Sequence, residues 1–184
     1  MREPFAYGCR SFWERLSMEI LNKNNFLIEL SESTRTSFGK VDFPSQTVVQ
    51  KVFSTIWEVE SEVNNGGFKQ YFCNSSAETA HSLVSALMEI KAPKTAAICG
   101  QALALVFPTS LPATRQGIND AASQMDHKTE LALEKLDSEF LKYPHDLTEL
   151  LYDFVCLHPD EFSPTQISSK PPSFMQRLKL LFRH

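Results

Sequence analysis

Residues 47–75 read TVVQKVFSTIWEVESEVNNGGFKQYFCNS, and the fold class turns on them. Val49, Val52, Phe53, Ile56, Trp57 and Val63 recur at three- and four-residue intervals, the period of one helix face rather than the alternation of a strand. The spacing predicts a long helix from Thr47. Glu58, Glu60 and Glu62 crowd its far end, the unfavourable pole of a helix dipole for negative charge. Asn64-Asn65-Gly66-Gly67 then predicts the stop, because Asn and Gly accept the left-handed conformation that closes a helix. A short turn carrying Phe68, Tyr71 and Phe72 is expected to follow.

Downstream, Ser75 with Glu78 three residues later has the pattern of a capping box, ahead of a helix whose apolar face is Ala80, Leu83, Val84, Leu87 and Ile90. Pro93 suits the first turn of another helix over Ala96, Ala97, Cys99, Ala102, Leu103, Val106 and Phe107, closed by Pro108 and Pro112. A polar helix over 113–125, a helix through Leu131, Leu133, Leu136 and Phe140 ending near Tyr143-Pro144, and an amphipathic helix through Leu147, Leu150, Leu151, Phe154 and Val155 stopped at His158-Pro159 complete the central part. Upstream, Phe12, Trp13, Leu16, Ile20 and Leu21 predict a first helix interrupted at Asn22 to Asn25, and the Ser/Thr-rich stretch 31–47 reads as a loop. No alternating run long enough for a strand and no repeat at solenoid period is present. The expectation is all-α: a single irregular bundle of six to eight helices, with 1–44 as N-terminal helix and linker, 45–162 as the helical domain, and 163–184 as a Pro/Ser linker and basic amphipathic tail.

The chain has 184 residues, of which 42% are hydrophobic and 22% charged, with 6 Gly, enough to bury a core without disulfides or metals. Cys9, Cys73, Cys99 and Cys156 show no C-x-x-C pairing and read as structural thiols. Arg2, Glu3, Arg10, Glu14 and Arg15 leave no uncharged stretch for a signal peptide or membrane span, so a cytoplasmic location is expected. The net charge of -4 divides unevenly. Residues 1–40 hold six Lys/Arg against five Asp/Glu, residues 41–162 eight against seventeen, and residues 163–184 four against none. Within 120–161, eleven acids face only Lys128, Lys135 and Lys142. Such a field repels nucleic acid and attracts basic surfaces, although a solvated helix face has the same composition.

The string Glu62-Val63-Asn64-Asn65-Gly66-Gly67-Phe68-Lys69-Gln70-Tyr71-Phe72-Cys73-Asn74-Ser75 resembles the signature of a bacterial domain family of unknown function that includes a DNA-mimic protein and is named after it. The resemblance runs on through Ala96 to Phe107, through Leu136-Asp137-Ser138-Glu139-Phe140, and through Leu150-Leu151-Tyr152-Asp153-Phe154-Val155 to His158-Pro159, about residues 45–162 in all. It implies an α-helical fold, no established catalytic activity and, for the member that gave the family its name, imitation of DNA by surface carboxylates. A duplex presents one charge per roughly 1.7 Å of axis, so a mimic needs many carboxylates closely spaced. The moderate acidity of this chain and its basic tail depart from that pattern.

The signature itself has two readings. In one, Gly66 and Gly67 permit a sharp turn, Asn65 and Asn74 serve backbone groups, Gln70 is a satisfied buried amide, and Phe68, Tyr71 and Phe72 fill the core. In the other, Glu62, Asn65, Gln70 and Tyr71 line a small polar pocket that holds a ligand.

No catalytic constellation is found. Glu78-x-x-His81 has the spacing of half a di-iron bundle site, but no second such pair exists. His127, His145, His158 and His184 lack mutual ligand spacing, and neither a phosphate loop nor a nucleophile elbow occurs. The tail places Phe174, Leu178, Leu181 and Phe182 on one helical face with Arg177, Lys179 and Arg183, after a linker from Ser168 to Ser173 containing Pro171 and Pro172. Membrane contact, nucleic-acid contact and docking on the chain's own acidic surface are its alternatives, the last favoured because four basic residues give marginal membrane affinity.

The functional expectation is a non-enzymatic interaction protein. An acidic surface of Asp126, Glu130, Glu134, Asp137, Glu139, Asp146, Glu149 and Asp153 would meet a basic or DNA-binding protein, with no direct nucleic-acid binding, no cofactor and no metal, and with room for a homo-oligomer. The alternative is a small-ligand domain using the Asn-Asn-Gly-Gly-Phe turn.

Overall fold

In the computed structural model, which describes residues 23–32, 38–39 and 41–162, regular structure is helical throughout and no strand occurs among the described residues. Residues 23–32 form α1. After a 3₁₀ turn at Phe43–Ser45 come α2 (Val48–Cys73), a 3₁₀ helix (Ser75–Ser82), α3 (Leu83–Glu89), α4 (Pro93–Val106), α5 (Arg115–Ser123), α6 (His127–Phe140), α7 (Leu147–Leu157) and α8 (Pro159–Phe162). This is the expected all-α bundle. The predicted first helix over Phe12 to Leu21, Cys9 and the basic tail lie outside the described residues.

The start of α2 is fixed locally. Thr47 Oγ1 accepts the Gln50 N–H at 3.2 Å while the Gln50 carboxamide accepts the Thr47 N–H at 3.1 Å, a reciprocal capping box. From there Val52, Phe53, Ile56 and Val63 of the predicted face are buried, joined by Val59, while Val49 and Trp57 are half-buried. Around this helix pack the second 3₁₀ helix, α3, α5, α6, α7 and α8, so α2 is the axis of the bundle. Phe38, edge-on to Phe53, and Phe162, tilted against it, close its first turns, with ring centroids 5.0 Å and 5.6 Å from Phe53.

Three local expectations are corrected. Of the interruption predicted at Asn22 to Asn25, the described residues Lys23, Asn24 and Asn25 are instead helical, because in 23–32 Leu27 and Leu30 enter the core and Lys23 pairs with Glu149 on α7 at 2.6 Å. Ser75 and Glu78 do not form a capping box. Asn74 takes the cap position with no side-chain bond to the helix it precedes, and Ser75–Ser82 winds as a 3₁₀ helix that buries Ser76, Ala77, Thr79 and Ala80. Tighter winding brings the small residues against α2. Finally, Phe68, Tyr71 and Phe72 belong to α2 itself, beyond a kink, rather than to a turn. Of the cysteines, Cys99 is buried as a core thiol, Cys73 is half-buried and Cys156 is exposed.

One core group is poorly served. Thr55 is fully buried on α2 and its hydroxyl has no partner. An unpaired buried hydroxyl costs about 1–3 kcal/mol, and valine has nearly the same shape. Thr55→Val should therefore raise the unfolding free energy by about 1 kcal/mol, read as an upward shift in the urea midpoint at constant slope.

Candidate functional site

The kink in α2 is built from both sides of the glycine pair. Gly66 is extended (φ -164°), whereas Gly67 has φ 76° and ψ -178°, a conformation open essentially to glycine alone. A carboxylate fills the space that a side chain would need: a Cβ on Gly67 would lie 2.4 Å from Oδ2 of Asp137 on α6. Asp137 Oδ1 in turn accepts the Phe68 N–H at 2.8 Å. Breaking a helix frees the first N–H groups of the segment that follows, and Asp137 serves one of them from another helix. Burial raises the Asp137 pKa, and the bond from Phe68 works against that rise.

Glu62 ties the kink together on its other side. Its Oε2 accepts Gln70 Nε2 at 2.6 Å and Asn74 Nδ2 at 2.9 Å, and its Oε1 accepts Ser76 Oγ at 2.9 Å. One carboxylate thus links both halves of α2 to the 3₁₀ helix. The Gln70 amide lies over Gly66, where a Cβ would come within 2.2 Å of Oε1. Asn119 on α5 caps the exit of α2 by donating to the Phe72 and Asn74 carbonyls at 2.7 and 3.0 Å. Phe68, Tyr71 and Phe72 are buried, and the Tyr71 hydroxyl meets Thr79 Oγ1 at 2.6 Å, its pKa pushed up by burial. Asn64 donates to the Glu60 carbonyl at 2.8 Å and bonds the Tyr143 hydroxyl, while Asn65 is exposed.

The acidic residues divide by position. On α6, Asp126, Glu130, Glu134 and Asp137 sit at i, i+4, i+8 and i+11, which at 3.6 residues per turn confines them to an arc of roughly 80°. Asp126 caps this helix by accepting the Thr129 N–H at 2.7 Å, which holds its carboxyl below the usual range. Glu130 pairs with Lys69 on the second half of α2, which lowers its pKa too. Glu134 is exposed between them. Glu139 points to the other side of α6 and pairs with Lys142. On α7, Asp146 caps the first turn through the Glu149 N–H at 2.9 Å, Glu149 holds Lys23, and Asp153 is exposed. Asp137 differs from its neighbours in being half buried at the kink.

A further acid escaped the sequence reading as a special residue. Burial, and secondarily the charge of Asp146, raises Glu60 to about 7, against a hydrogen bond from Tyr143 that lowers it. Glu60 borders a cavity of about 290 Å³ with Asn24, Ile28, Trp57, Ser61, Asn64 and Thr148. Since the folded-state value lies above the unfolded one, the fold favours the protonated acid, and stability falls as pH rises from about 4.5 to about 7. Glu60→Gln removes that loss. The variant should match the wild type at pH 4 and exceed it at pH 8 by on the order of 1–2 kcal/mol in urea titrations.

Among the described residues no three His, Cys, Asp or Glu side chains are grouped for a metal ion. His81 Nε2 lies 2.9 Å from the Pro112 carbonyl, His145 meets Thr95 at 3.0 Å, and the His158 ring packs on Phe154. No described helix is long and apolar enough to cross a membrane. The family model described as DMP19-like protein matches residues 45–158, from the approach to α2 to the end of α7. No curated protein and no solved structure matches the chain.

Proposed function

The chain belongs to the DMP19-like protein family, and from that premise we propose that it is a non-enzymatic interaction protein which presents the acidic edge of α6 to a basic, DNA-binding protein. The observation that carries this reading is the row of Asp126, Glu130 and Glu134 that starts at the N-cap of α6 and runs along it, with Asp137 in line but engaged at the kink of α2. Capping holds the Asp126 carboxyl, and the Lys69 pair holds that of Glu130, below the usual carboxylate range, whereas burial raises that of Asp137. The i, i+4 repeat places a carboxylate about every 6 Å along the axis, against about 3.4 Å per phosphate on one DNA strand. One helix edge therefore has roughly half the linear charge of a single strand. That supports electrostatic docking on a basic groove and steering of the encounter more than replacement of a whole duplex.

The signature turn supplies rigidity in this reading. Glu62 binds Gln70 and Asn74, and Asp137 fixes α6 against the kink of α2, so the acidic row is held at a set angle to the bundle. The test is capture from a lysate of the source cells at low and at high salt, by the wild type and by the Glu130→Lys/Glu134→Lys variant. A DNA-binding protein retained by the wild type at low salt, released at high salt and missed by the variant supports the reading. Retention that ignores both salt and the variant overturns it, because exposed pairs lose most of their attraction when the screening length drops to about 3 Å at 1 M.

A further inference from the structure

The most exposed apolar residues of the described chain are Val48, at 81% relative exposure, and Leu157, at 76%. Val48 borders one feature, and Leu157 precedes His158, which borders it too. Between the first turns of α2, the face of α3 and the end of α7 runs an open groove of about 330 Å³, floored by Val49, Val52, Ala86 and Phe154 and rimmed by Ser85 and Glu89. Lys51 also borders it, but its ammonium is turned to the Pro44 carbonyl at 3.1 Å and to the Phe43 ring. An apolar channel of this kind on a soluble bundle signals an occupant.

The chain itself leads one to it. Phe162 is buried beside Phe38 and Phe53, and on the same short helix Glu161 holds the α2 cap, its carboxylate accepting from Thr47 Oγ1 at 2.7 Å and its carbonyl from Gln50 Nε2 at 2.9 Å. The described residues therefore end, at Phe162, beside the first turns of α2, whose Val48, Val49 and Val52 line the groove. The next 22 residues contain Lys170, Arg177, Lys179 and Arg183 and no acid, with Phe174, Leu178, Leu181 and Phe182 at helical spacing.

We propose that residues 174–184 dock in this groove, with the apolar positions against Val49, Val52, Ala86 and Phe154 and the cations toward Glu89. The linker of eleven residues before Phe174 spans up to about 36 Å, so reach is no obstacle. Tethering at a short distance gives an effective concentration in the millimolar range, which lets a small contact form within one molecule. A membrane is the weaker occupant, since four cations and a short apolar face bind a bilayer only marginally. The proposal does not depend on the partner reading above, and the α6 variant serves as its control.

Hydrogen exchange of the full-length chain, read by mass spectrometry over residues 174–184, is the test. In the wild type these amides should exchange at least about tenfold more slowly than in the isolated peptide of the same sequence, at any protein concentration. Ser85→Lys/Glu89→Lys changes two exposed rim residues and sets like charge against the segment. It should return 174–184 to the peptide rate while the amides of α2 and α4 stay protected. Glu130→Lys/Glu134→Lys should leave the segment protected. Peptide-like exchange in the wild type overturns the proposal. So does protection that is lost only in the α6 variant, which would place the segment on the acidic edge, or protection that grows with concentration, which would place it on a second copy.

Discussion

Gly67→Ala should destabilise the domain by about 3 kcal/mol or more, one of the largest effects of any single methyl group in the chain. Two independent penalties add. The backbone at Gly67, with φ 76° and ψ -178°, is one that an alanine adopts only under strain, at about 1–3 kcal/mol. The added Cβ would also fall 2.4 Å from Asp137 Oδ2, so the carboxylate must withdraw and leave the Phe68 N–H, in a buried helix start, without its acceptor. Losing that bond contributes a further 1–3 kcal/mol or so. Urea unfolding of the variant measures the sum. Gly67→Ala within about 0.5 kcal/mol of the wild type would show that the kink is not fixed by these contacts.

The second large effect concerns recognition. Against the partner captured by the wild type, Glu130→Lys/Glu134→Lys should weaken binding by about 100-fold at 0.05 M salt, roughly tenfold per reversal, with a much smaller loss near 1 M. Asp137 is left intact in this variant because it holds the Phe68 N–H, and its replacement would mix lost charge with lost folding. An equal loss at both salt concentrations would mean that the substitutions act through packing. Circular dichroism of the variant, unchanged from the wild type, separates the two.

The α2 stripe was readable because burial along one helix writes a three-to-four residue period into Val52, Phe53 and Ile56. Pro93 and the His158-Pro159 stop were readable because proline acts on its own backbone. The kink was half legible. Asn-Asn-Gly-Gly announces a break, but whether helix resumes after it depends on Asp137, 69 positions away from Phe68, and on the Glu62 bonds to Gln70, Asn74 and Ser76. Long-range partners leave no local pattern. For the same reason Asp137 and Asp126 looked alike as surface acids, although one is half buried at a helix break and the other caps an exposed turn. Ser75 and Glu78 had the right letters for a cap, yet Ser76 is drawn to Glu62 and the segment tightens to 3₁₀ winding. Residues 23–32 stay helical through Asn24 and Asn25 because Leu27 and Leu30 have a core to enter.

Competition with DNA tests the central claim most directly. With the captured partner immobilised, a duplex that it binds is titrated against this chain at fixed low salt. If the acidic edge of α6 occupies the DNA-binding surface, the two ligands exclude each other, and the chain is displaced at the concentration set by the duplex affinity. A ternary complex of partner, duplex and chain would contradict the account, since the acidic edge would then be docking somewhere other than where DNA does.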